Sequence, residues 1–161
     1  MTYRTGLGTD VHPLVTGRPL VLGGHSVPFE MGLDGHSDGD ALVHAVIDAL
    51  LGAAALGDIG SHFPSSDPGN AGISSIVLLE RTVKKVWEAG WMATFVDATI
   101  VAQRPTLAPH IGRIRAGLAA GLSLDETQVN VKATTTDGLG FTGRGEGIAA
   151  LAVATLERAN N

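Results

Sequence analysis

The stretch SDGDALVHAVIDALLGAAALG, residues 37–57, constrains this chain more than any other. Leu42, Val43, Val46, Ile47 and Leu50 recur at helical spacing and lay an apolar stripe along it. Ser37 or Asp38 stands where a helix cap is expected. Beside the stripe, Asp40, His44 and Asp48 fall four residues apart and form a polar row. A histidine inside so apolar a helix needs a reason. Either its ring is a core group hydrogen-bonded to Asp40 or Asp48, or it is a ligand whose partners come from elsewhere.

The rest of the chain supplies a sheet for such a helix. Residues 3–12 read as a strand, and RPLVLGGHSVPFE (18–30) as a hairpin turning at Gly23-Gly24. Residues 74–90 form an amphipathic helix with Ile76, Leu79, Val83 and Val86 on its apolar face and Gly90 at its end. TFVDATIVAQ (94–103) is rich in β-branched residues and reads as a strand stopped by Pro105. Residues 107–122 read as a third helix and 127–136 as another strand. GIAALAVATLERAN (147–160) carries enough alanine for a helix, yet Leu151 and Val153 alternate with Ala150, Ala152 and Ala154. We read it as a strand, because the sheet needs a further partner. The expected fold is α+β: a two-layer sandwich with one mixed sheet of about four strands, three helices on one face and a short hairpin. At 161 residues, with no repeat or linker, it is expected to form one domain over 1–161.

Composition removes several functions. Lys and Arg total 11 against 16 Asp and Glu, with no basic run, so nucleic acid is a poor partner. The chain has no cysteine, which excludes disulfides and thiolate metal sites; a transition metal must use His and carboxylate. MTYRTGLG has neither signal- nor transit-peptide character, and the longest apolar stretch is too short and too glycine-broken to span a membrane. The expectation is a soluble cytoplasmic protein.

Three clusters carry candidate chemistry. In TDVHPL (9–14), Asp10 and His12 project from one face of a strand. With His44 as a third ligand they would suit catalytic zinc or non-haem iron. As a short pattern, Asp-x-His also fits an ordinary surface pair. In LDGHSDGD (33–40), His36 and Ser37 precede a helix N-terminus, where they could hold a phosphate or, for Ser37, only cap the helix. In KATTTDGLGFTGRGEG (132–147), Gly138, Gly140 and Gly143 spell a dinucleotide-binding pattern, but only 18 residues follow, too few for the rest of that fold. A flexible loop whose hydroxyls and N–H groups could cradle phosphates, with Arg144 as an added cation, fits better; so does a plain glycine-rich turn.

In this order TDVHPL, GLDGHSDGDALVHAVIDALLGAAALGDIGSHFP, AQRPTLAPHI and VNVKATTTDGLGFTGRGEGIA resemble the 2-C-methyl-D-erythritol 2,4-cyclodiphosphate synthase family of the non-mevalonate isoprenoid pathway, over essentially the whole chain. The resemblance implies zinc ligands at Asp10, His12 and His44, with Asp10 and His12 also meeting substrate. His36 and Ser37 match a substrate-contacting pair, and His36 and Thr135 match residues that stabilise the transition state. Asp58, Ile59 and Gly60, then Phe63 through Asp67, match the loop that holds the methylerythritol part. The segment Ala102 through Ala108, with Pro105, Thr106 and Leu107, matches a cytidine pocket. Thr134 through Asp137 match a diphosphate-binding turn, with magnesium or manganese at Asp137. Phe141 and Arg144 match a loop near the centre of a homotrimer whose sheets face inward, where an isoprenoid diphosphate near Arg144 is a further partner.

The implied reaction is an intramolecular phosphoryl transfer by a metal-dependent phosphorus–oxygen lyase. The 2-phosphate of 4-diphosphocytidyl-2-C-methyl-D-erythritol 2-phosphate attacks the β-phosphorus, a cyclic diphosphate closes and CMP leaves. The nucleophile belongs to the substrate, consistent with a chain lacking both Cys and a G-x-S-x-G motif. Three positions depart from the family pattern: Asp137 replaces a usual Glu, Thr106 a frequent Lys, and Ser65 an Asp. The rival readings are a non-haem iron enzyme using Asp10, His12 and His44, and a non-catalytic phosphate-binding module.

Overall fold

A computed structural model describes residues 1–160. In chain order the elements are β1 (Tyr3–Thr16), β2 (Leu20–Leu22), β3 (His25–Val27), β4 (Met31–Leu33), α1 (Ala41–Ala54), α2 (Ile59–His62), α3 (Ser75–Glu88), β5 (Trp91–Val101), α4 (Ile111–Leu122), β6 (Val129–Thr134), α5 (Gly140–Gly143) and β7 (Gly147–Arg158). The main sheet runs β4-β1-β7-β5-β6; β2 and β3 form a separate hairpin. Pairing is antiparallel except between β5 and β6, so the sheet is mixed. It has five strands rather than about four: the three-residue β4 pairs Leu33 with Leu14 and is too short to show a period. The three long helices cover one face, as expected, and residues 147–158 are a strand.

The layers meet unusually closely. On β7 the helix-facing positions are Ala150, Ala152 and Ala154, all buried, while Leu151 and Val153 look outward. On β1 the helix-facing positions include Gly6 and Gly8. A methyl group on Gly8 would lie 1.9 Å from the Ala45 carbonyl oxygen, and one on Gly6 2.1 Å from that of Ala49. Small residues on both sides therefore let α1 rest directly on the strand backbone. Large side chains fill the other side of α1, where Leu42, Ile47, Leu50 and Leu51 are fully buried against the remaining helices and hairpin.

The start of α1 differs from expectation. Its cap is Asp40, not Ser37 or Asp38, because Gly39 takes φ +75° and turns the chain just before it. Asp40 is wholly buried. Its carboxylate accepts from Val43 N–H at 3.1 Å and from Gly23 and Gly24 N–H at 3.1 and 2.8 Å. One side chain thus caps the helix and ties down the β2–β3 turn. Burial nevertheless pushes its pKa up to about 6, against those hydrogen bonds.

Candidate active site

Asp10 and His12 project from the helix-facing side of β1, two and four residues beyond Gly8. The close approach of α1 at Gly8 carries His44, on the next turn, down to meet them. Asp10 Oδ2 lies 2.7 Å from His12 Nε2 and 3.0 Å from His44 Nδ1, and the two ring nitrogens are 3.1 Å apart. Neither Asp40 nor Asp48 is the side-chain partner of His44; its ring meets Asp10 on one side and Ser37 and Ser75 on the other. Among the described residues, these three form the one such cluster with metal-ligand spacing.

The protons show what the cluster needs. His12 Nδ1 lies 2.6 Å from the Asp34 carbonyl oxygen, which can only accept. His12 therefore donates from Nδ1, and in the neutral ring its Nε2 lone pair faces Asp10. His44 Nε2 is engaged on its far side by the hydroxyls of Ser75 at 2.8 Å and Ser37 at 3.0 Å, which leaves Nδ1 toward Asp10. A carboxylate oxygen and two imidazole lone pairs then aim at one point, and repel unless a cation or a proton sits among them. Without a metal the arrangement favours a proton on His12. The hydrogen bond to Asp10 raises its pKa, against the opposing effect of burial. Burial would raise Asp10, but its contacts with the imidazole rings of His12 and His44 outweigh it and hold its pKa at about 2. The donor set fits a divalent transition metal.

The walls of this site come from loops that the scaffold ties down. Arg18 donates to Asp34 at 3.2 Å and to the carbonyls of Gly35 and Ser37, both at 3.0 Å, which fixes the segment carrying His36 and Ser37. Asp48, on α1, accepts from Ile59 N–H at 2.7 Å and seats α2 over the site. His36 donates to the Asp67 carbonyl at 3.3 Å. A cavity of about 240 Å³ results, lined by Asp10, His12, His36, Ser37, His44, Ile59, Gly60 and Phe63. Asp48, Ser65, Asn70 and Leu78 also line it. Asp58 is spent on capping α2, where it accepts from Ser61 N–H at 2.9 Å, and Asp67 likewise caps the 3-10 turn after it. The sequence reading missed Asn70 and Leu78, and placed Asp48 in the polar row without seeing that it holds α2.

A second cavity, of about 320 Å³, lies between the end of β5, the start of α4 and the end of β6. Ala102, Pro105, Thr106, Leu107, Ala108, Thr134 and Thr135 line it, with Gln103, Ile111 and Ala133. The two cavities share no lining residue.

The glycine-rich segment is not the loose loop expected. Thr135 Oγ1 accepts from Asp137 N–H at 3.2 Å, Gln103 accepts from Gly138 N–H at 3.0 Å, and Thr136 donates to the Leu139 carbonyl. The one-turn helix α5 follows, with Gly143 packed against the Gly138 backbone. Asp137 adopts φ +54°, a left-handed conformation that a short Asp side chain tolerates better than most. Its carboxylate receives only a 3.4 Å contact from Thr135 and is exposed. Arg144 is not a free cation beside this turn: it pairs with Glu146 at 3.0 and 3.2 Å. Phe141 is exposed nearby.

Fold and site together define a class: an α+β sandwich with a two-histidine, one-carboxylate cluster of metal-ligand spacing at the junction of its sheet and buried helix. The chain belongs to the YgbB family, whose model matches residues 3–157. It is 54% identical over 158 residues to the 2-C-methyl-D-erythritol 2,4-cyclodiphosphate synthase of Lachnospira eligens, covering 98% of this chain and 86% of the relative. Among solved structures, the bifunctional IspDF from Campylobacter jejuni matches with a TM-score of 0.95 at 43% identity over 99% of the chain, which spans 43% of that longer protein. A 2C-methyl-D-erythritol-2,4-cyclodiphosphate synthase in a CDP-bound form matches with a TM-score of 0.88 at 36% identity, covering 96% of this chain and 100% of that one.

Proposed function

We propose that this chain, as one domain over 1–161, converts 4-diphosphocytidyl-2-C-methyl-D-erythritol 2-phosphate to 2-C-methyl-D-erythritol 2,4-cyclodiphosphate and CMP, in the cytoplasm. The observation that carries the reading is the convergence of Asp10, His12 and His44 in one cavity with His36, Ser37 and the Ile59–Phe63 loop, in a chain whose relatives bear that enzyme's name. Asp10, His12 and His44 would hold zinc, which when bound supplies Lewis-acid neutralisation of phosphate charge. His36, exposed at the cavity rim, donates to phosphate oxygens as charge builds in the transition state. Ile59, Gly60 and Phe63 enclose the methylerythritol part, flanked by Asp58 and Asp67. The apolar lining of the second cavity takes the cytosine, and the Thr134–Asp137 turn takes the diphosphate. Thr135 steadies the transition state, and the unencumbered Asp137 carboxylate is available to magnesium or manganese. The protein's task is to position groups and balance charge, because the substrate brings its own nucleophile.

The active unit is a homotrimer with the sheets facing the centre. Leu7, Val11, Leu151 and Val153 support this, since they lie exposed on the helix-free face of the sheet. So does the separation of the two cavities, which adjacent copies would bring into one site. Arg144 lies in the loop assigned to the trimer centre, and an isoprenoid diphosphate there would compete with Glu146 for its guanidinium.

The test is CMP release from the diphosphocytidyl substrate, with and without chelator. Formation of cyclic diphosphate and CMP in equal amounts, stopped by chelator and restored by zinc, is expected. Turnover that survives complete removal of bound metal, or phosphate release without CMP, would overturn the assignment.

A further inference from the structure

The side of the His44 ring that faces away from Asp10 opens onto a closed set of polar groups. Ser75, the first residue of α3, is fully buried, with its Oγ 2.8 Å from His44 Nε2. The same hydroxyl bonds to Asp38 Oδ1, and Asp38 Oδ2 accepts from Ser75 N–H at 2.9 Å. Asp38 Oδ1 also accepts from Asp40 N–H at 3.1 Å. The direction of each bond follows from what each group can do. An ionised carboxylate cannot donate, so the one Ser75 proton goes to Asp38. The Ser75 oxygen must then accept; His44 Nε2–H, at 2.8 Å, is the nearer donor, with the Ser37 hydroxyl at 3.4 Å. His44 is thereby held as the tautomer whose Nδ1 lone pair points at Asp10 and His12.

We propose that Asp38 and Ser75 are positioning residues for the cation site: a carboxylate–hydroxyl–imidazole relay that sets the tautomer of His44 and strengthens Nδ1 as a donor. The inference rests on reading Asp10, His12 and His44 as a metal site. Partners on the far side of a metal-ligating histidine raise its basicity and fix its ring, and their removal weakens metal binding by about 10- to 100-fold. The relay also explains why a wholly buried serine begins α3. Its backbone N–H is capped by Asp38 while its hydroxyl serves another helix.

That division makes Ser75→Ala informative, because it removes the hydroxyl and leaves the N–H to Asp38 in place. Zinc affinity would be measured by competition with a chromophoric chelator, and the His44 tautomer by ring-nitrogen NMR of the metal-free protein. In wild type we expect tight zinc and a single Nε2–H tautomer. In Ser75→Ala we expect affinity to fall about 10- to 100-fold and the tautomers to mix. Asp38→Asn, which keeps the shape but removes the terminal charge, should fall between the two. Unchanged affinity in Ser75→Ala overturns the relay, and so does weakened affinity with the wild-type tautomer retained, since the loss then runs through packing. A wild-type protein that binds no zinc would instead sink the metal-site reading itself.

Discussion

The contact with Asp10 that favours a proton on His12 would equally favour a bound cation, and the two states would respond oppositely to pH. The pKa of His12 is raised chiefly by the hydrogen bond to Asp10, with burial working against the shift. A raised histidine stabilises the fold fully below its ordinary value near 6.5, and that contribution is lost as pH rises through the folded value. Zinc must displace this proton, so its affinity should climb over the same interval and level off above it. We expect metal-free protein to lose thermal stability as pH rises above about 6.5 while zinc affinity, followed by chelator competition, increases. Affinity that is flat over this range would show that His12 is not a ligand. At this scale the sequence was informative about Asp10, His12 and His44, because strand parity and helix spacing constrain where side chains point. It was silent on Ser75, which lies 31 residues from His44 and belongs to a different helix.

Helix α1 shows how an element places a ligand. Its sheet-facing side is Ala45, Ala49 and Ala53, and the strand beneath offers Gly6 and Gly8, so the contact is set by backbone rather than by side-chain volume. Gly8→Ala would drive a methyl group to within 1.9 Å of the Ala45 carbonyl oxygen, and α1 has to move away. Overpacking of this kind costs roughly 1–3 kcal/mol. For a domain of this size that corresponds to a fall in Tm of about 3–10 °C, read by calorimetry. Because His44 rides on α1, zinc affinity should fall in the same variant. A variant that melts early but binds zinc as wild type would show that the close contact serves stability alone. The helix itself was legible from its apolar stripe; its start was not. Ser37, Asp38 and Asp40 are all acceptable caps locally, and the choice was made by Gly23 and Gly24, which need the Asp40 carboxylate as an acceptor. The compact turn at 134–146 was missed for a related reason. Its threonines and glycines are ordinary loop residues until Gln103, from another strand's end, accepts from Gly138 N–H.

At the scale of the molecule, the helix-free face of the sheet leaves Leu7, Val11, Leu151 and Val153 exposed among polar neighbours. Leu151 sits between Thr9 and Thr99 on the outward face, and Val153 between Leu7 and Asp97. In the middle of β7 the larger Leu151 and Val153 look outward while the smaller Ala150, Ala152 and Ala154 look inward, which leaves apolar surface uncovered. Leu151→Lys should therefore convert the proposed trimer to monomer, read by sedimentation. CMP release should drop at least about 100-fold, because positioning of the cytidine part would be lost. Zinc affinity per chain should persist, since all three ligands come from one copy. A fully active monomer would remove the assembly from the mechanism. Order along the chain was enough to establish the α+β class, most of the strands and long helices, and the residue types that can bind a metal, because these depend on periodicity and donor chemistry that neighbouring residues already express. The tertiary structure alone decided which of these residues meet. It chose Asp40 over Ser37 as the cap, added β4 to the sheet and placed Ser75 behind His44. Each of those outcomes turns on a hydrogen bond or strand pairing between segments distant in sequence, and local pattern carries no information about such pairs until the chain has closed on itself.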